Sequence, residues 1–116
     1  MRESNIMTTS SLPSESTKGD AAERFRRLSD EWKAKSQHLS NTAQIAMLRP
    51  YQRIIGMGWE ALPYIFAELQ REPDQWFWAL EAITEENPVP AEAVGKVRLM
   101  AQAWIDWGKQ QGLVSA

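Results

Sequence analysis

Apolar residues recur every three or four positions along most of this chain, the spacing that lines one face of an α-helix. The first such run places Phe25, Leu28 and Trp32 on a helix predicted from about Ala21 to His38, with Arg24, Arg26, Arg27, Asp30, Glu31, Lys33 and Lys35 around the rest. So narrow a stripe predicts docking along one edge of the core. Asp20, followed three residues later by Glu23, is a capping-box-like start. Ser40-Asn41-Thr42 offers caps for a second helix carrying Ile45 and Leu48, and Pro50 forces a kink or restart because its ring removes a donor and meets the preceding turn. Tyr51, Ile54 and Ile55 carry the period into Gly56-Met57-Gly58, where positive φ is open to glycine and a helix hairpin is predicted.

A further helix near Glu60 to Arg71 gathers Leu62, Ile65, Phe66 and Leu69 on one face, with Pro63 in its first turn. Pro73-Asp74 starts the next, whose Trp76, Phe77, Leu80 and Ile83 read as the buried centre, ending near Thr84. The connection Glu85 to Pro90 is held extended by two prolines. The last helix, predicted as the longest, runs from about Ala91 to Gln111 on Val94, Val97, Ala101, Trp104 and Gly108, with Met100 and Trp107 beside them and Gly112 as its stop. Sustained period-two alternation is missing, so the class is all-α: a compact bundle of five to six helices without a sheet. Residues 1–19 are rich in Ser, Thr and charge and predict a disordered N-terminal tail, 20–112 a single helical domain, and 113–116 a short flexible C-terminus.

Two resemblances bear on this reading. Ile54-Ile55-Gly56-Met57-Gly58, then Ala61 to Phe66 with its Leu-Pro, then Trp76 to Ile83, is phrased like HEAT repeats, which implies a HEAT-like helix hairpin over residues 54–83. More broadly, residues from about Phe25 to Gly112 resemble a group of small bacterial helical proteins with an IGMG turn, a WFWAL helix and an ENPVP connection. That resemblance implies a helical fold and a bacterial source and carries no catalytic residues with it.

Composition narrows the chemistry. The 116 residues are 43% hydrophobic and 24% charged, ordinary for one globular domain, but six Trp in so short a chain are not. A net charge of −2 gives no general attraction to nucleic acid or an anionic membrane. With no Cys and a single His, at 38, thiolate chemistry, a transition-metal site and a His-based triad lack their residues. No apolar run has the length of a signal peptide or a membrane span, which places the expected location in the cytoplasm. Gly56-Met57-Gly58 lacks the Lys-Ser/Thr of a phosphate loop and reads as a turn. A DNA-reading helix after it would carry Glu60, Glu68 and Glu72 against Arg71 alone, and would repel phosphates.

What remains is surface. Residues two apart on a helix point about 200° apart, so Trp76 and Trp78 do not share one core; with Trp76 buried, Trp78 packs elsewhere or meets a partner. Trp59, at the glycine turn, is a second large aromatic in an exposed position. The expected function is a non-enzymatic protein-interaction module, adaptor or regulatory, binding a protein partner or itself through Trp59, Tyr64, Trp78, Glu85, Asn87 and Pro88, with no cofactor, metal or catalytic residue. One alternative is a nucleic-acid-associated accessory or antitoxin-like protein making weak contacts through helix 1, with five Arg or Lys against three Asp or Glu between Ala21 and Leu39. The other is a carboxylate-dependent hydrolytic or transfer enzyme built on Glu81, Glu85 or Glu86, which predicts that those carboxylates converge in a concave pocket.

Overall fold

The computed structural model describes residues 14–115, and these form an all-α bundle. Six α-helices follow in order: α1 Ser14–Ser36, α2 Thr42–Met47, α3 Arg49–Gly56, α4 Leu62–Arg71, α5 Phe77–Thr84 and α6 Val97–Gln110. Short 3-10 turns at Gly58–Ala61 and Ala91–Ala93 lead into α4 and towards α6. Among the described residues there is no strand, and no helix is long and apolar enough to cross a membrane.

Three boundaries differ from the sequence reading. Of the expected tail, residues 1–13 lie outside the described residues, but 14–19 are helical, so Asp20 sits inside α1 and is not its cap. Once packing of Phe25, Leu28 and Trp32 has formed a nucleus, each residue added upstream gains a hydrogen bond without a new nucleation cost, which lets a polar stretch extend the helix. At its other end α6 begins at Val97, not Ala91, and with 14 residues is shorter than the 23-residue α1. Gly95, at φ +87, breaks the backbone between Ala93 and Val97 and leaves Val94 64% exposed, outside the stripe it was assigned to. The third difference is the C-terminus. Gly112 at φ +75 closes α6 in a Schellman arrangement, with Leu113 N–H donating to the Gly108 carbonyl (2.8 Å) and Gly112 N–H to that of Lys109 (3.1 Å). Leu113 and Val114, expected in a flexible end, are thereby turned back onto the core.

Other proline and capping signals correspond to real boundaries, although α5 begins at Phe77 and not at Pro73-Asp74. Asn41 accepts from Gln44 N–H at the start of α2 (3.1 Å), Leu48 both ends α2 and precedes α3, and Pro50 and Pro63 occupy first turns. In the bundle α3 is central: α1 and α5 pack against it, while α4 lies chiefly on α6.

The core is aromatic. Trp32, Tyr51 and Trp76 are essentially inaccessible and meet at ring separations of 4.5 to 6.0 Å, with Phe25 5.6 Å from Trp76. Trp32, expected on a helix at the core's edge, instead reaches its middle, and its indole N–H donates to the Ile45 carbonyl (3.1 Å). A single large side chain turned inward thus compensates for a narrow stripe. Outside the core, Lys33 (2.6 Å) and Arg71 (2.7 Å) both pair with Glu68, which ties α1 to α4.

Candidate functional site

Helix α5 starts without a side-chain cap of its own, since its N-cap residue is Trp76. The role is filled from across the core. The Tyr51 hydroxyl accepts from the Ala79 N–H (2.9 Å) and donates to the Gln75 carbonyl (2.9 Å), so one buried phenol holds both sides of the helix entrance. Burial pushes its pKa well above the usual tyrosine value near 10, despite the opposing Ala79 hydrogen bond. At the other end Glu85 takes the left-handed conformation (φ 58), and Thr84 donates to the Leu80 carbonyl (2.7 Å) while accepting from Glu86 N–H. The helix is thus tied to the core at its entrance and closed by local bonds at its end.

That outer face carries Trp78. With Phe77, Ala79 and Leu80 turned inward, Trp78 is 48% exposed and forms one wall of an open groove of about 690 Å³. The remaining wall comes from Thr42 and Ala46 of α2, Gln75, Phe77, Glu81 and Ala82 of the α5 region, and Gly95, Val97 and Met100 leading into α6. The lining is mainly apolar, with Glu81 its one charge. Thr42 and Gln75 also line a neighbouring hollow of about 450 Å³, which adds Ile45, Leu39, Glu72, Asp74 and Lys33. The two hollows thus adjoin across Thr42 and Gln75.

The structure divides the residues singled out from sequence. Trp78 lines the groove. Trp59 is 56% exposed on the 3-10 turn after Gly58 and lines neither hollow. Tyr64 is half-buried against Phe25 (5.6 Å) and faces a different hollow, between α1 and α4, together with Arg26, Asp30 and Lys33. Glu85 and Asn87 are exposed and Pro88 half-buried in the connection after α5, where Asn87 accepts from Val89 N–H (3.1 Å) in a local turn. Of these six residues, Trp78 alone lines the groove. Sequence reasoning missed Met100, Val97, Ala46 and Gly95 as groove residues; the only available signal was that Met100 lies beside the buried stripe of α6, on the flank left for a second contact.

The carboxylates expected to converge do not meet in one hollow: Glu81 faces the groove, while Glu85 and Glu86 are exposed and line none of the three hollows described. Among the described residues, no three or more His, Asp or Glu side chains are grouped as metal ligands would be. His38 is exposed just beyond the end of α1. Set against known protein families, curated proteins and solved structures, the chain matches none of them.

Proposed function

We propose that the protein is an interaction module that captures a segment of another protein in the groove beside Trp78. The observation that carries this reading is a half-exposed indole on a helix whose entrance is bonded to the core, beside a largely apolar groove. Exposed Trp is enriched at binding hot spots because it offers a large contact area with few rotors to immobilise. A groove of this size and lining suits insertion of one or two apolar side chains from a partner segment.

The test uses a partner isolated from the native host, purified, and titrated by calorimetry against wild type and Trp78→Ala. Loss of the indole is expected to weaken binding by at least about tenfold, the equivalent of about 1.4 kcal/mol. Because Trp78 is half outside the core, the melting temperature should fall by only a few degrees. Equal affinity for the two proteins refutes the reading, as does a Trp78→Ala chain that no longer folds, since that would make the indole structural.

A further inference from the structure

Charge along the chain is unevenly placed. Between Glu72 and Gly95 stand six carboxylates, Glu72, Asp74, Glu81, Glu85, Glu86 and Glu92, with no Lys or Arg among them, although the whole chain has a net charge of only −2. Three of the six line the track formed by the Trp78 groove and the adjoining hollow: Glu81 in the first, Glu72 and Asp74 in the second. The one cation in that lining, Lys33, is already held by Glu68 at 2.6 Å. The ion pairs among the described residues, Lys33–Glu68, Arg71–Glu68 and Lys35–Glu31, include none of the six carboxylates, although Glu72 lies close enough to Arg71 for the two charges to attract.

From this we infer that the occupant of the track is a basic amphipathic segment of a partner protein, with apolar residues on one face and Lys or Arg along its edges. The inference rests on the groove reading above and adds the partner's chemistry to it. Trp78 and Glu81 are three residues apart on α5, hence neighbours on its surface. A Lys or Arg lying across the indole has its stem on an apolar ring, its charge near the ring face, and a carboxylate within reach of its head. Ala46, Val97 and Met100 accept the apolar face, and Glu72 with Asp74 receive a second basic residue further along the track. An acidic or neutral segment would leave those carboxylates half-desolvated and unpaired, which costs affinity and so selects against it.

The experiment titrates the full chain with two fluorescent synthetic peptides of the same helical pattern, one with Leu and Lys, the other with every Lys replaced by Gln. Anisotropy is read at low salt and at about 0.15 M, where the screening length is roughly 8 Å. The Lys peptide is expected to bind at least about tenfold tighter at low salt, as charge complementarity predicts. That preference should shrink with salt and in the double variant Glu72→Gln, Glu81→Gln, while Trp78→Ala weakens both peptides. Equal binding of the two peptides, each lost in Trp78→Ala, overturns the basic-segment inference and leaves the groove reading standing. Binding of the Lys peptide that ignores Trp78→Ala overturns the inference by showing attraction to the acidic stretch at large. If neither peptide binds and sedimentation shows a dimer that Trp78→Ala dissociates, a second copy covers the groove and both readings fall.

Discussion

Replacing Tyr51 with Phe removes one oxygen atom and keeps the ring, which makes it a clean probe of how α5 is held. The ring contacts with Trp32 (5.1 Å) and Trp76 (6.0 Å) survive, so packing is nearly unchanged. What is lost is the bond from Ala79 N–H to the phenol and the bond from the phenol to Gln75. The Ala79 N–H is one of the four donors at a helix start that have no partner within the helix, and here it is buried with no capping side chain nearby. A buried donor left unpaired costs about 1–3 kcal/mol, a range that overlaps the cost of deleting an N-cap. The Gln75 carbonyl, partly buried, adds less because solvent reaches it. The expected loss is therefore about 2 kcal/mol. For a domain of this size that corresponds to a fall of roughly 8–16 °C in melting temperature. Urea unfolding followed by tryptophan fluorescence should show a lower midpoint with an unchanged slope, since the surface exposed on unfolding is the same. Alkaline titration gives a second reading. Because the folded pKa lies above the unfolded one, Tyr51 contributes stability that is complete below pH 10 and declines as pH rises above it; the Phe variant should lack that share of the decline. A stability loss below about 0.5 kcal/mol would refute the argument, because it would mean the Ala79 N–H never depended on the phenol.

Other expectations follow from the same contacts. At Gly108 an added Cβ would sit 2.8 Å from Val114 Cγ2 and 3.1 Å from the Phe66 ring, so Gly108→Ala should lose about 1 kcal/mol net, overpacking outweighing the helix-propensity gain. Ending the chain at Leu113 removes the closest contact, and Gly108→Ala should be less harmful in that background by thermal melting; equal harm in both would place the conflict at Phe66. Glu68 is pushed up by its burial but pulled down further by hydrogen bonds and charge from Lys33 and Arg71, so its pKa lies below the usual 4.5. Its contribution is present above pH 4.5 and is lost as pH falls through the folded value, so Glu68→Gln should flatten the acid limb of the stability curve; an unchanged limb counts against the Lys33 and Arg71 pairing. Glu85→Gly relieves a left-handed backbone that L side chains disfavour and should stabilise by about 0.5–1 kcal/mol in urea titration, whereas a loss would show that the Glu85 side chain has a role in the fold.

Much of the architecture was legible in local signals, because caps and prolines act within a few residues of where they stand. Asn41, Pro50, Pro63 and Gly112 each mark a boundary that the structure also has. The start of α1 was not legible, since the residues from Ser14 to Asp20 carry no apolar signal and are helical by extension from packed residues downstream. Gly95 was passed over because a glycine inside a periodic run looks tolerable until φ +87 shows that the run stops there. At the candidate site, the opposed directions of Trp76 and Trp78 follow from helix geometry alone, and the exposure of Trp78 matches that reasoning. Its neighbours do not follow from it: Ala46, Met100 and Gly95 come from three separate elements, and only tertiary packing brings them to one groove.

The same packing makes the core and the groove one mechanical unit. Tyr51 joins Gln75 and Ala79, and the chain between those two residues contains both the buried Trp76 and the exposed Trp78. Gln75, with Thr42, also lines both the groove and the adjoining hollow. A five-residue stretch thus places one indole among Trp32, Tyr51 and Phe25 and the other at the surface, with a single phenol fixing the angle between the two environments. A surface built on a loop would have to become ordered on association, at an entropic cost for each side chain immobilised; a surface built on a helix whose entrance is bonded into the core has largely met that cost in folding. For this reason the indole at the surface depends on the buried phenol that bonds the helix entrance, and the shape of the groove is set in part by a residue outside its lining.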